Sequence, residues 1–190
     1  MAFYGWPISQ CQSPLTSNPL LYQLKSGIRA LDIRLSIVDG RLISFHGPYP
    51  QRAPFTLILA TLYQFLTADE GGITECIVVS IKQEDTASSL FTSLVHSEIS
   101  ASQGGKDLWY TESNRIPTLG EVRGKCVLLS RFGEPGGEGL GIHPDRWPDS
   151  RREGFECECS GTVVRVSDWY ASLPFPFDIQ FWSRMISGAR

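Results

Sequence analysis

The chain has 190 residues, 42% of them hydrophobic and 11% aromatic, a balance that supports one folded domain and excludes a disordered segment. Its 20 acidic and 17 basic residues leave a net charge of −3. That excludes a nucleic-acid partner held by broad electrostatic attraction, but not a local cationic pocket. No basic start followed by a long apolar core is visible, and no run approaches the roughly 20 apolar residues of a membrane-spanning helix. The expectation is a soluble monomer whose contact with a membrane is peripheral; the cell compartment is left open.

In chain order, residues 1–18 form an irregular N-terminal segment rich in Pro, Ser and Gln, and 19–190 form the rest of the domain. Asn18-Pro19 opens a helix with Leu20, Leu21, Leu24 and Ile28 on one face. Two short strands follow, joined by Asp39-Gly40, a strong hairpin-turn signal. In the first, Leu31, Ile33 and Leu35 alternate with Asp32 and Arg34, so one strand face carries an acid and an arginine. His46 ends the second. Phe55, Ile58, Leu59, Leu62, Phe65 and Leu66 have the spacing of an amphipathic helix, which Thr67 to Gly72 closes.

Cys76 to Ile81 reads as an apolar strand buried on both faces, ending in Lys82. A helix is expected over 87–99 with Leu90, Phe91, Leu94 and Val95 buried, then a loop to Asp107. Cys126 to Leu129 is another apolar strand, ending in Arg131. Gly133 to Gly154 reads as a long loop, and Val163 to Val166 as a short strand followed by Asp168 and Tyr170. The tail from Pro174 holds an aromatic cluster and room for a helix. No internal repeat or linker-like boundary is visible.

Alternating strands and helices predict an α/β fold with a largely parallel sheet. Chemistry in such folds gathers at the carboxyl ends of the strands. Arg34, His46, Lys82, Arg131 and Asp168 all fall at or near predicted strand ends. Three of them are cationic at neutral pH, which together suit an anionic substrate, phosphate being the commonest. Each strand-end charge could instead be merely solvated, Lys82 above all.

The cysteines (Cys11, Cys76, Cys126, Cys157 and Cys159) have no regular spacing. Cys157-Glu-Cys159 is too tight for half a usual zinc site. Cys76 and Cys126 sit in apolar runs and read as buried thiols, so neither a metal nor another cofactor is implied. His96, on a predicted helix, and His143, in a Gly/Pro loop, read as packing or surface residues. Trp109, Trp147, Phe175 and Phe177 could touch lipid but are more often core.

Several ordered segments, covering about residues 20–170, carry a family resemblance. They are Gln23-Leu-x-x-Gly27-Ile-Arg-x-Leu-Asp32-Ile-Arg34, Asp39-Gly-Arg-Leu, His46-Gly47 and Ile81-Lys82-Gln83-Glu84. Further on stand Thr118-Leu-Gly-Glu-Val-Arg-Gly-Lys125, Arg131-Phe132 and Val166-Ser-Asp168-Trp-Tyr170. Together they resemble the X domain of the bacterial-type and fungal phosphatidylinositol-specific phospholipases C. The resemblance implies an incomplete TIM-like (β/α) barrel and cleavage of phosphatidylinositol to diacylglycerol and a cyclic inositol phosphate.

By that resemblance His46 is the general acid that protonates the leaving diacylglycerol oxygen, and Asp32 orients it or holds it charged. Arg34 binds the phosphate and stabilises charge on its non-bridging oxygens. An acidic metal ligand stands at the position of Arg34 in the calcium-dependent animal enzymes. A guanidinium cannot ligate a cation, so independence of metal is implied. Lys82, Arg131, Asp168 and Tyr170 match the inositol-binding positions.

The family's Gly-Thr-His-Asp motif, whose histidine is the general base, has no counterpart here, nor does the aspartate that pairs with it. The expectation is a partial domain lacking the first and last strands, with impaired turnover. The alternative is an inactive module that still binds inositol-phospholipid head groups. A metal-dependent glycerophosphodiesterase is disfavoured by Arg34.

Overall fold

The computed structural model describes residues 18–46, 49–68, 72–84, 89–112, 115–134, 137–148, 151–159 and 162–168. The expectations for residues 1–17, the 69–71 and 85–88 segments, Gly47, Tyr170 and the aromatic tail lie outside the described residues.

The first helix, α1 (Pro19–Lys25), starts where the Asn18 side chain accepts the Leu21 N–H at 3.1 Å, with proline at the first helical position. Leu20 and Leu24 are buried, whereas Ile28 lies past the helix end and is exposed. Strands β1 (Ala30–Val38) and β2 (Arg41–His46) meet at Asp39 and Gly40, both at positive φ (49° and 72°). Positive φ at both central residues gives the turn twist that antiparallel strands need, and Gly bears it without strain. The next strand, β3 (Tyr49–Pro54), pairs antiparallel with β2 and was not foreseen; its two prolines argue against a strand except at a sheet edge, which is where it lies.

Helix α2 (Phe55–Leu66) buries the six apolar side chains its spacing predicts, each contributing about 1.5–3 kcal/mol. Strand β4 (Cys76–Gln83) alternates instead of burying both faces: Ile77, Val79 and Ile81 are buried while Cys76, Val78 and Ser80 are half-buried. Helix α3 (Leu90–Ala101) buries Phe91, Val95 and Ile99, but Leu90, in its first turn, is 62% exposed. Strand β5 (Trp109–Tyr110) follows a short 3₁₀ turn, and Trp109 belongs to the core.

A brief helix, α4 (Leu119–Val122), is held by a capping box between Thr118 and Glu121. It leads into β6 (Lys125–Arg131). The glycine-rich stretch that follows is not wholly free of the sheet, because Ile142 bridges to Leu129. Two further strands, β7 (Phe155–Cys159) and β8 (Thr162–Val166), form a separate two-stranded sheet. Only the second was expected. Cys157 and Cys159, on one face of β7, are buried free thiols, and burial pushes both up, Cys159 to about 11.

The main sheet has the order β3-β2-β1-β4-β6-β5. From β1 through β4 and β6 to β5 the pairing is parallel, and the β2–β3 side is antiparallel. One face packs α1, α2 and α3 around a single cluster that includes Leu31, Ile33, Leu35, Ile77, Val79, Ile81, Cys126 and Leu128. The chain divides into two compact units, Met1–Trp147 with Cys157–Val164, and Pro148–Glu156 with Arg165–Arg190. In the second, Arg151 N–H donates to the Asp168 carbonyl at 2.9 Å, and Arg165 lies 3.8 Å from Glu156.

Candidate functional site

The sheet face away from the helices changes character along its length. Near the amino ends of its strands it is apolar, where Cys76, Val78, Val127 and Leu129 pack with Tyr110, Val122, Ile142, Cys159 and Val164. Toward the carboxyl ends the same face becomes charged. Register sets Arg34 beside Lys82 and Lys82 beside Arg131, so three cations stand in one row across β1, β4 and β6. Two residues earlier, Asp32 lies beside Ser80 and Ser80 beside Leu129. Residues two apart in a strand share a face, so both rows project from the same side.

Neighbouring strands are only about 4.8 Å apart, and three cations so placed would repel. Two carboxylates brace them. Asp32 Oδ2 accepts Arg34 Nε–H at 3.0 Å, while its Oδ1 accepts from Arg131 Nη1 at 3.2 Å and Ser80 Oγ at 3.4 Å. Glu84 Oε1 accepts from Arg34 Nη1 at 3.3 Å, and its Oε2 lies 3.4 Å from Lys82 Nζ. The backbone of Glu84 is itself tied to β1, its N–H donating to the Leu35 carbonyl at 2.8 Å. Among the described residues, two carboxylates stand against these three cations, leaving one positive charge in excess.

Exposure grades this cluster. The side chains of Glu84 and Arg131 are 8% and 6% exposed, whereas those of Arg34 and Lys82 are 25% and 27% exposed. The buried pair forms the floor, and Arg34 and Lys82 present N–H donors that an anion can reach. Burial works to lower the Arg34 pKa, but the hydrogen bond and charge of Asp32, with those of Glu84, outweigh it and raise the value. Arg34 therefore stays cationic. The indole of Trp147 covers the Arg131 guanidinium, 4.3 Å from Cζ to ring centroid.

The structure thus brings Asp32, Arg34, Lys82 and Arg131 together. No contact among the described residues joins His46 to this cluster. The parallel ladder of β1 ends at Leu35, and the hairpin returns the chain so that Ser44 lies opposite Leu35, with His46 two residues further on. His46 is exposed at the end of β2, and among the described residues its imidazole has no hydrogen-bond partner; the Asp32 carboxylate is taken by Arg34, Arg131 and Ser80. Asp168 belongs to the second unit, and Tyr170 lies outside the described residues.

The remaining histidines stand apart from the charged row. His143 Nδ1 is 2.9 Å from Ser130 Oγ, and Ser130 points to the opposite face from Arg131. His96 is on α3. Three cluster members escaped sequence reasoning. Ser80 and Glu84 share two-residue parity with Lys82, a signal sufficient to find them. Trp147 reaches Arg131 from the glycine-rich segment, and no sequence pattern announces that.

No family model matches the chain. It is 33% identical over 130 residues to a 1-phosphatidylinositol phosphodiesterase of Listeria monocytogenes, a match covering 66% of this chain and 38% of that protein. A Staphylococcus aureus protein of the same description is 26% identical over 172 residues, covering 86% of this chain and 54% of its own length. Among solved structures, a phosphatidylinositol-specific phospholipase C of S. aureus superposes with a TM-score of 0.69 at 26% identity, over 90% of this chain and 58% of that one. The chain spans between about two fifths and a little over half of the curated relatives it matches. Both the open mixed sheet and these likenesses support the phosphatidylinositol-specific phospholipase C family, and the chain has the α/β fold of an incomplete TIM-type barrel.

Proposed function

We propose that this chain carries the phosphate- and head-group-binding part of a metal-independent phosphatidylinositol-specific phospholipase C, of the bacterial and fungal X-domain type, which acts on its lipid at a membrane surface. The observation that carries the reading is the row Arg34, Lys82 and Arg131, braced by Asp32 and Glu84 at the carboxyl ends of three adjacent parallel strands. A phosphodiester carries one negative charge, which matches the single excess positive charge of the cluster. Among the described residues no helix is long and apolar enough to cross a membrane.

In this reading the phosphate lies against Arg34, whose fixed charge stabilises the extra charge on the non-bridging oxygens as an inositol hydroxyl, giving its proton to solvent water, attacks phosphorus. The bond from phosphorus to the diacylglycerol oxygen breaks, and His46 gives that oxygen its proton. Lys82 and Arg131 hold the inositol ring. The guanidinium of Arg34 occupies the place where a metal would need a ligand, so the charge stabilisation comes from the protein itself.

A second reading, a module that binds the head group without turnover, is favoured by one observation. Asp32 accepts from Arg34, Arg131 and Ser80, and His46 has no hydrogen-bond partner among the described residues. One experiment separates the two: release of cyclic inositol phosphate from phosphatidylinositol vesicles by the purified chain, with and without a chelator. Catalysis predicts release that persists in chelator, falls about 10²–10⁴-fold in His46→Ala and falls about 10²–10³-fold in Arg34→Ala. Head-group binding without release supports the module. Arg34→Ala that leaves both release and binding intact sinks the site assignment.

A further inference from the structure

Arg131 is an unusual cation. Its side chain is only 6% exposed, yet among the described residues Asp32 Oδ1 is the acceptor it reaches, through Nη1 at 3.2 Å. Its Nε–H is buried and, among the described residues, has no hydrogen-bond partner. A buried donor left unpaired is unfavourable and persists only where the surroundings hold it. Two things do so here. Asp32 anchors one end of the guanidinium, and the indole of Trp147 lies over its face at 4.3 Å. Indole gives the strongest cation–π contact of the aromatic side chains, and the contact strengthens as water is excluded.

We propose that Trp147 is a positioning residue for head-group recognition. Its ring holds the Arg131 guanidinium in one orientation and excludes water from it, so that the small exposed part of that side chain meets a polyhydroxylated, phosphate-bearing ring without rearranging. The inference rests on the reading of the cluster as a head-group site, but adds a residue that acts on the ligand only through Arg131. A flexible arginine would otherwise satisfy its donors with water, and each ligand oxygen would have to displace that water.

The test uses the full chain, myo-inositol 1-phosphate as the probe, and calorimetry as the readout. Trp147→Leu is expected to weaken binding about 3- to 30-fold, the range a cation–π contact spans between exposed and desolvated settings. Trp147→Phe, which restores an aromatic face, is expected to stay within about 3-fold of the original. In an Arg131→Met background, Trp147→Leu should add less than about 2-fold, because the contact it removes is already gone. A full additional loss there, or wild-type affinity in Trp147→Leu, overturns the proposal.

A second readout needs no ligand. The indole ring current shifts the Arg131 Nε–H resonance, which Trp147→Leu should move and Trp147→Phe largely preserve. An unmoved resonance overturns the proposal whatever the calorimetry gives. Failure of the unaltered chain to bind the probe, with the resonance moving as expected, sinks the head-group reading and leaves the Trp147–Arg131 contact as packing alone, which also overturns the recognition role.

Discussion

Asp32 and Arg131 are 99 residues apart in the chain and meet at 3.2 Å between Oδ1 and Nη1. The contact joins β1 to β6 across β4, which lies between them in the sheet. It makes a single charged unit of side chains from three strands, and the behaviour of the site follows from that unit.

Glu84 bears the greatest strain of charge balance, being 8% exposed and shared between Arg34 and Lys82. Glu84→Gln keeps the volume but removes one of the two carboxylates, leaving Asp32 alone to balance three cations. The expected loss of stability is about 2–3 kcal/mol, somewhat below that of breaking a fully buried pair. Inorganic phosphate should restore part of it by supplying the missing negative charge. Urea denaturation with and without phosphate checks both; unchanged stability would show that Glu84 is no brace.

The capping box before β6 makes a pH-dependent prediction. Arg115, with the N–H and hydroxyl of Thr118, holds Glu121 down from an ordinary value near 4.5 to about 2. The charged form is thus favoured in the folded state, so its contribution is complete above about pH 4.5 and is lost as pH falls toward about 2. Glu121→Gln should therefore be less stable than the original at pH 6, with the gap closing between those two values. Denaturation midpoints measured from pH 6 to pH 2 read this directly. A gap that stays constant over the range contradicts the assignment.

Gly40 sits at φ 72° in the turn that returns the chain toward His46, and nothing lies within 4 Å of where a Cβ would stand. Any penalty for Gly40→Ala is therefore backbone conformation alone, about 1 kcal/mol. The expected signature is a lower urea midpoint with an unchanged slope, since the surface exposed on unfolding is the same. A changed slope would mean that the hairpin itself had opened.

Local pattern was enough for much of this molecule. The α2 spacing named its six buried apolar side chains, and Asp39-Gly40 named the turn. The alternation of Leu31, Ile33 and Leu35 with Asp32 and Arg34 assigned both faces of β1 before any neighbour was known. These succeed because one element and its period decide them. Leu90 fails for the same reason: its spacing fits the apolar stripe, but it lies in the first turn of α3, beyond the reach of the core. Strand β3 was missed because proline composition speaks against strands, and only the edge position beside β2 makes it tolerable.

By itself, then, the sequence determined an α/β chain with cationic residues at several strand ends and a resemblance that ordered them. It could not determine which of those charges share a site. Register is a relation between strands distant in sequence, and it alone sets Arg34, Lys82 and Arg131 in one row. The tertiary structure also decided that Asp32 is taken by Arg34, Arg131 and Ser80, that Glu84 is the second brace, and that Trp147 covers Arg131. The physical reason is charge balance: three neighbouring cations need acceptors within about 3–3.5 Å, and only folding lets Asp32 reach across to Arg131 and Glu84 reach across to Arg34.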